Sequence, residues 1–412
     1  MKPGRQDIHI LRELGKHVAE IAALPEQQET IALWKALNSC RPVRPMVMID
    51  QIPWHEMDVD GELTLQTEHD FSRSIEVDLR RRIYRWKHMP VDWVIEPVVT
   101  IPKVFSGLDF GIRTIEELAV MDPDNNIVSH QYADQLENEK DLCKIKFPEI
   151  VRDENATRQN EETAAEIFEG ILEVRMQGIV PAFALWDRIV EWRTPEKSLM
   201  ELVINPDHMH RIMARLTRAY LVMLDQLEAH NLLDSFQPTI HCTGAFNDEL
   251  PASGFDPEKS RAIDLWTCGM AQIFSSVSPE MHQEFELEYA NKWYERFGLV
   301  YYGCCEPLHK KIHIVRHIPN LRKISMSPWV DQDEGAEQIG GDFVFSRKPN
   351  PAYVASEGWD TDIVTRDLRE TVDCCKKFGC PLELILKDIS TVCYKPQRLW
   401  EWADIAMNIA CG

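Results

Sequence analysis

The chain contains no apolar run of the roughly 18 residues that a membrane span needs. Its first residues, MKPGRQDIHILRELGKHV, lack the apolar stretch of a secretion signal. Both absences lead to the expectation of a cytoplasmic protein with no membrane partner. Positive charge is also short. Forty-five Lys and Arg stand against 67 Asp and Glu, a formal net charge of −22. Nucleic acid and anionic lipid both need a positive surface, so neither is expected as a partner. None of the glycines forms a Gly-rich phosphate loop of the dinucleotide or P-loop type beside a strand-like segment, which argues against an open nucleotide-binding sheet.

What is present has the balance of an ordinary globular protein: 412 residues, 44% hydrophobic and 27% charged, enough for a sizeable core. Eleven cysteines, an odd number, include the adjacent pairs Cys304-Cys305 and Cys374-Cys375. Without an export signal they read as reduced thiols, most of them structural. Residues 7–40 carry apolar spacings of three and four, predicting a helical extension ahead of the catalytic part. RPVRPMVMID then reads as a buried strand ending at Asp50, and residues 71–88 as a basic amphipathic helix. VDWVIEPVVTIP reads as a second strand holding Glu96 among bulky neighbours. The polar, acidic stretch 117–170, with DPDNN and RDENATRQNEET, reads as a surface excursion.

Beyond residue 182 the pattern turns to long helices over 198–233, then alternates. FQPTIHCTG, LVYYGCCEP, LRKISMSPW, DFVFSRKPNP and PLELILKDIS read as strands, and 257–296, 307–317 and 361–378 as helices. Alternation of this kind argues for parallel strands with right-handed crossovers. The expected fold is α/β: a (β/α)8 TIM barrel over 41–412, with residues 1–40 as its helical extension.

Barrel sites are built at the carboxyl ends of strands. Gly303-Cys304-Cys305-Glu306 lies at such an end, and thiolate, carboxylate and imidazole are all zinc ligands. Strand alternation would let only one of Cys304 and Cys305 face the mouth. His241 on TIHCTG, or Glu306, could complete the set. Trp54-His55-Glu56 follows the first strand, where loops carry specificity, and Asn247-Asp248-Glu249 follows TIHCTG. Glu96, embedded in apolar surroundings, must be paired, protonated or liganding. Trp329 and Arg347 also end strands, Arg347 as the choice for holding an anion.

The order of several blocks resembles the uroporphyrinogen decarboxylase superfamily from about residue 41 onward. The blocks are FALWDRIVEWRTPEKSLMELVINPDHMHRIMARLT, NDEL followed by SPEMHQEF, YYGCCEP, and SRKPNP. That superfamily includes porphyrinogen decarboxylases, corrinoid-linked methyltransferases and cobalamin-independent methionine synthase. The run MVMID-QIPWHEM has no arginine between Asp50 and Met57, which departs from the decarboxylase pattern. The resemblance implies a methyltransferase acting between a small molecule and a corrinoid on a separate carrier protein. Zinc would be held by His241, Cys304, Cys305 and Glu306. Asp248 and Glu96 would be catalytic; Asp50, Trp54, Glu56, Trp329 and Arg347 would bind substrate. The alternatives are a cofactor-free decarboxylase, and a barrel that binds a corrinoid or tetrapyrrole without turning it over.

Overall fold

A computed structural model describes residues 2–120 and 128–412. The DPDNN stretch lies outside the described residues. Eight parallel strands organise the fold: β1 (Met46–Ile49), β2 (Val98–Pro102), β3 (Glu173–Gln177), β4 (Trp266–Gly269), β5 (Leu299–Tyr302), β6 (Leu321–Met326), β7 (Val344–Arg347) and β8 (Leu382–Leu386). Six form one continuous sheet in the order β1-β8-β7-β6-β5-β4, while β2 and β3 pair separately. The two sheets approach at both edges. Phe183, downstream of β3, bridges Gly269 of β4, and the amide of Asp92, ahead of β2, donates to Val47 O of β1 at 3.0 Å. The α/β class is as expected; a continuous closed ladder of eight strands is not shown.

Alternation along the strands separates two cores. Val47, Ile49, Val300, Tyr302, Ile324, Phe345, Leu384 and Leu386 pack outward beneath helices. Their neighbours Met46, Met48, Val344 and Ile385 pack on the other face with Trp34 and Leu37 of the helix Pro25–Asn38. That inner face is also unusually polar, with Lys323, Ser325, Ser346, Lys348, Glu383 and Lys387 all buried.

Two segments depart from the sequence expectation. The stretch 257–296 is not one helix: it contains β4, and its helical part begins where Ser278 caps Met281 N ahead of Pro279. FQPTIHCTG is not a sheet strand. It is a short antiparallel hairpin with arms Thr239–Ile240 and Thr243–Gly244, lodged against the inner face. The close approach explains Gly244, where a Cβ would lie 2.3 Å from the Trp34 ring. In the excursion, Glu116–Ala119 and Ser129–Tyr132 form an exposed hairpin. The helix Glu154–Phe168 instead buries Ala164, Ile167 and Phe168 against Leu11 and Val18 of the first helix. Among the described residues no helix is long and apolar enough to cross a membrane.

Candidate active site

The hairpin turns on two residues, His241 (φ 41°) and Cys242 (φ 69°). A turn with both central φ values positive normally takes Asn or Gly. Side chains of other kinds cost on the order of 1–3 kcal/mol each there and persist only where the surroundings impose them. Those surroundings are Thr243 Oγ1 donating to Glu383 Oε2 (2.7 Å), Lys323 Nζ to Gly244 O (3.0 Å), and Asn38 Nδ2 to Gly244 O (3.0 Å). The strained tip is thereby held at the carboxyl ends of β5, β7 and β8.

At the end of β5, Gly303 has φ 96°, and a Cβ there would lie 2.6 Å from Leu308 Cδ1. This turn ends strand alternation, so Cys304 and Cys305 do not point to opposite faces: their sulfurs are 3.6 Å apart. Lys387 Nζ donates to Cys304 Sγ at 3.0 Å and stands 3.4 Å from Asp388 Oδ2. Cys305 Sγ lies 3.5 Å from the same carboxylate. The hydrogen bond from Cys305, with His241 and Lys387 nearby, holds the Cys304 thiol far below the ordinary range against the opposing effect of burial. Its partner Cys305 is pushed up by the same contact and by burial. Burial works against the Lys387 ammonium, but the charges of Cys304 and Asp388 outweigh it and raise the group. Both shifts act in the direction of a thiolate beside an ammonium.

Around this pair stand further polar groups. Burial lowers the His241 imidazole against the opposing effect of Cys304, and its Nε2 has no hydrogen-bond partner. Lys348 donates to Tyr301 OH and to Ser346 Oγ (2.8 Å), and burial lowers it to about 8. Cys242 lies near Asp50, and burial raises its thiol to about 12.

The other expected site residues separate. Glu306 does not join the thiols. It is fully buried and accepts from Cys304 N (2.9 Å) and Ala271 N (3.1 Å), so it braces the turn; burial raises it to about 7. Arg347 is corrected: it lies on the outer face, donating to Ser327 O (2.6 Å) and pairing with Asp367, because Lys348 takes the inward position. Asp248 is corrected too. It is exposed and pairs with Lys35 (2.9 Å) and Arg41, near the amino ends of the strands. Trp329 is 69% exposed and lines none of the clefts described below. Glu96 lines a cleft of about 370 Å³ with Asp50 and Arg85, and burial raises its carboxyl. Trp54 lines a larger cleft of about 940 Å³ that reaches Asp388.

Glu56 is a brace rather than a substrate group. Its carboxylate accepts from Thr391 Oγ1 (2.6 Å), Val392 N (2.7 Å) and Tyr394 N (3.0 Å), tying down the loop after Asp388. Glu56→Ala strands those buried donors and should cost about 2–4 kcal/mol, since bonds to a charged group are worth about 1.5–3 kcal/mol and orphaned donors add to that. Urea unfolding measures the loss; a change under 1 kcal/mol would show the loop to be held elsewhere.

Sequence reasoning missed Lys348, Lys387 and Asp388. The signal was there in LELILKD: Glu383, Ile385 and Lys387 share one face of a strand whose other face is Leu382, Leu384 and Leu386. Charged residues at alternate positions of an apolar strand face something polar.

No family model matches the chain, and no curated protein matches it. Among solved structures it is similar to a methyltransferase from Methanosarcina mazei, at 11% sequence identity and TM-score 0.49, over 92% of this chain and 98% of that one.

Proposed function

We propose that the chain is a group-transfer enzyme on an eight-stranded barrel scaffold, with methyl transfer its reaction and Cys304 its nucleophile. The observation that carries this is the Cys304 sulfur 3.0 Å from Lys387 Nζ at the carboxyl end of β5. Thiolate, not thiol, is the nucleophile, and a neighbouring cation keeps it ionised at neutral pH. The thiolate lone pair would form the S–C bond as the methyl carbon's bond to its donor breaks, the leaving atom keeping that electron pair. Attack by an acceptor on the same carbon would return the thiolate. The methyl partner is proposed to be a small molecule, or a corrinoid on a separate carrier.

Zinc, which the family resemblance implies, is not required by this reading. Among the described residues no three His, Cys, Asp or Glu side chains form a group able to hold a metal ion. The charge that a metal would neutralise on Cys304 is already met by Lys387. For a decarboxylase using Asp50 or Asp248 with Arg347, Asp248 lies on the surface and Arg347 on the outer face, while Asp50 lines the smaller cleft, so the thiol site is the better supported reading.

The test is alkylation by iodoacetamide with peptide mapping, run beside metal analysis of protein purified without chelator. Cys304 should alkylate fastest of the eleven cysteines, at a rate nearly constant from pH 6 to 8, in metal-free protein. A rate rising tenfold per pH unit would remove the thiolate. Stoichiometric zinc lost in Cys304→Ala would replace Lys387 by a metal as the counter-charge.

A further inference from the structure

The cleft of about 940 Å³ runs from the helix Asp70–His88 to the loop after β8. One side is apolar, with Leu63, Leu65, Val77 and Ile389; Asp388, which touches Cys305, also lines it. Two arginines face it, and they differ. Arg80 is committed, donating to Glu76 Oε1 at 2.7 Å and to Glu62 O at 3.0 Å. Arg81 donates no hydrogen bond and makes no ion pair among the described residues. Its guanidinium lies 4.8 Å from the centre of the Trp54 ring, in a chain whose net charge is −22. A half-buried guanidinium with five donors and no acceptor is an incomplete arrangement. The Trp54 ring holds the guanidinium at the cleft without using its N–H donors, which suit a carboxylate or phosphate.

We propose that this cleft takes the substrate as an organic anion. Arg81 grips an anionic group, the apolar body lies along Leu63, Leu65 and Val77, and the reacting end reaches Asp388 beside the vicinal thiols. The inference deepens the group-transfer reading and rests on it for the identity of the reacting end. Anion binding itself does not depend on Cys304, so the two can fail separately.

The probes are 8-anilinonaphthalene-1-sulfonate, an apolar anion, and N-phenyl-1-naphthylamine, its neutral counterpart. Arg81→Met should raise the Kd of the anion tenfold or more and change that of the amine less than twofold. Leu65→Trp, which narrows the cleft at its apolar side, should weaken both. On the unmodified protein, benzoate should displace the sulfonate and benzamide should not, with phenyl phosphate distinguishing phosphate from carboxylate preference. Equal loss of both probes in Arg81→Met, undiminished binding in Leu65→Trp, or displacement by benzamide as readily as by benzoate would each overturn the proposal. Native urea midpoints in both variants show that the fold is intact.

Discussion

Replacing Lys387 with methionine is expected to lower the rate of Cys304 alkylation at pH 6 by up to about tenfold, the loss from a thiol pKa rising at most about one unit above pH 6. The rate should then climb severalfold between pH 6 and 8, where the native rate is flat. Methionine keeps the volume of the lysine stem and removes only the ammonium 3.0 Å from Sγ. At that distance the attraction is several kcal/mol even at an effective dielectric of about 20, and each 1.36 kcal/mol is one pKa unit. Cys305 and His241 still lower the thiol in the variant, so the shift stops short of a buried, unassisted cysteine.

Stability carries the same signature. The folded thiol lies below its unfolded value, so its contribution is full above the ordinary thiol pKa and is lost as pH falls toward the folded one. Lys387 lies above its unfolded value, so its contribution is full below the ordinary lysine pKa and lost at higher pH. Native stability should therefore rise between pH 6 and 8 with a component of about 1.4 kcal/mol per pH unit, one proton's worth. Lys387→Met should flatten it. Urea midpoints at three pH values decide; an unchanged slope would mean that Cys304 is a thiol at rest.

The alternation of strands and helices was legible because parallel strands buried on both faces read as short apolar runs between helical periods. Gly303 to Glu306 was legible as a strand end for the same reason. Which side chain faces which way was less so. Arg347 and Lys348 are sequence neighbours, and a one-residue difference in register sends one outward to Asp367 and the other inward to Tyr301. The strand Trp266–Gly269 was lost because WTCG is four residues long and lies between helical-looking flanks. The hairpin was read as one strand because His241-Cys242 is no ordinary turn pair; its positive φ values are imposed by contacts from residues over a hundred positions away. Asp248 follows the hairpin closely in sequence, yet the chain has by then returned to Lys35 at the other end of the sheet.

Those long-range contacts can be tested apart from the chemistry. Lys323 Nζ and Glu383 Oε2 are 2.7 Å apart with both side chains wholly buried, and burial pulls the lysine below its ordinary range. Removing one partner of such a pair leaves an uncompensated charge in the interior, which costs about 3–5 kcal/mol. Lys323→Met should lose that much in urea unfolding. The double variant with Glu383→Leu should recover most of it, because apolar replacement of a whole buried pair is often neutral or better. The hairpin, however, depends on both residues for its anchors, Lys323 to Gly244 O and Thr243 to Glu383. The double variant therefore regains stability without regaining the forced turn. His241 should relax from its positive φ and withdraw from Cys304, so that alkylation of Cys304 again depends on pH between 6 and 8 in a protein as stable as the native one. Recovery of both properties together would show that the tip is held by its own packing. A cost below 1 kcal/mol in Lys323→Met would show that water reaches the pair. Stability recovered with reactivity lost would separate the part of the interior that holds the fold from the part that aims the site.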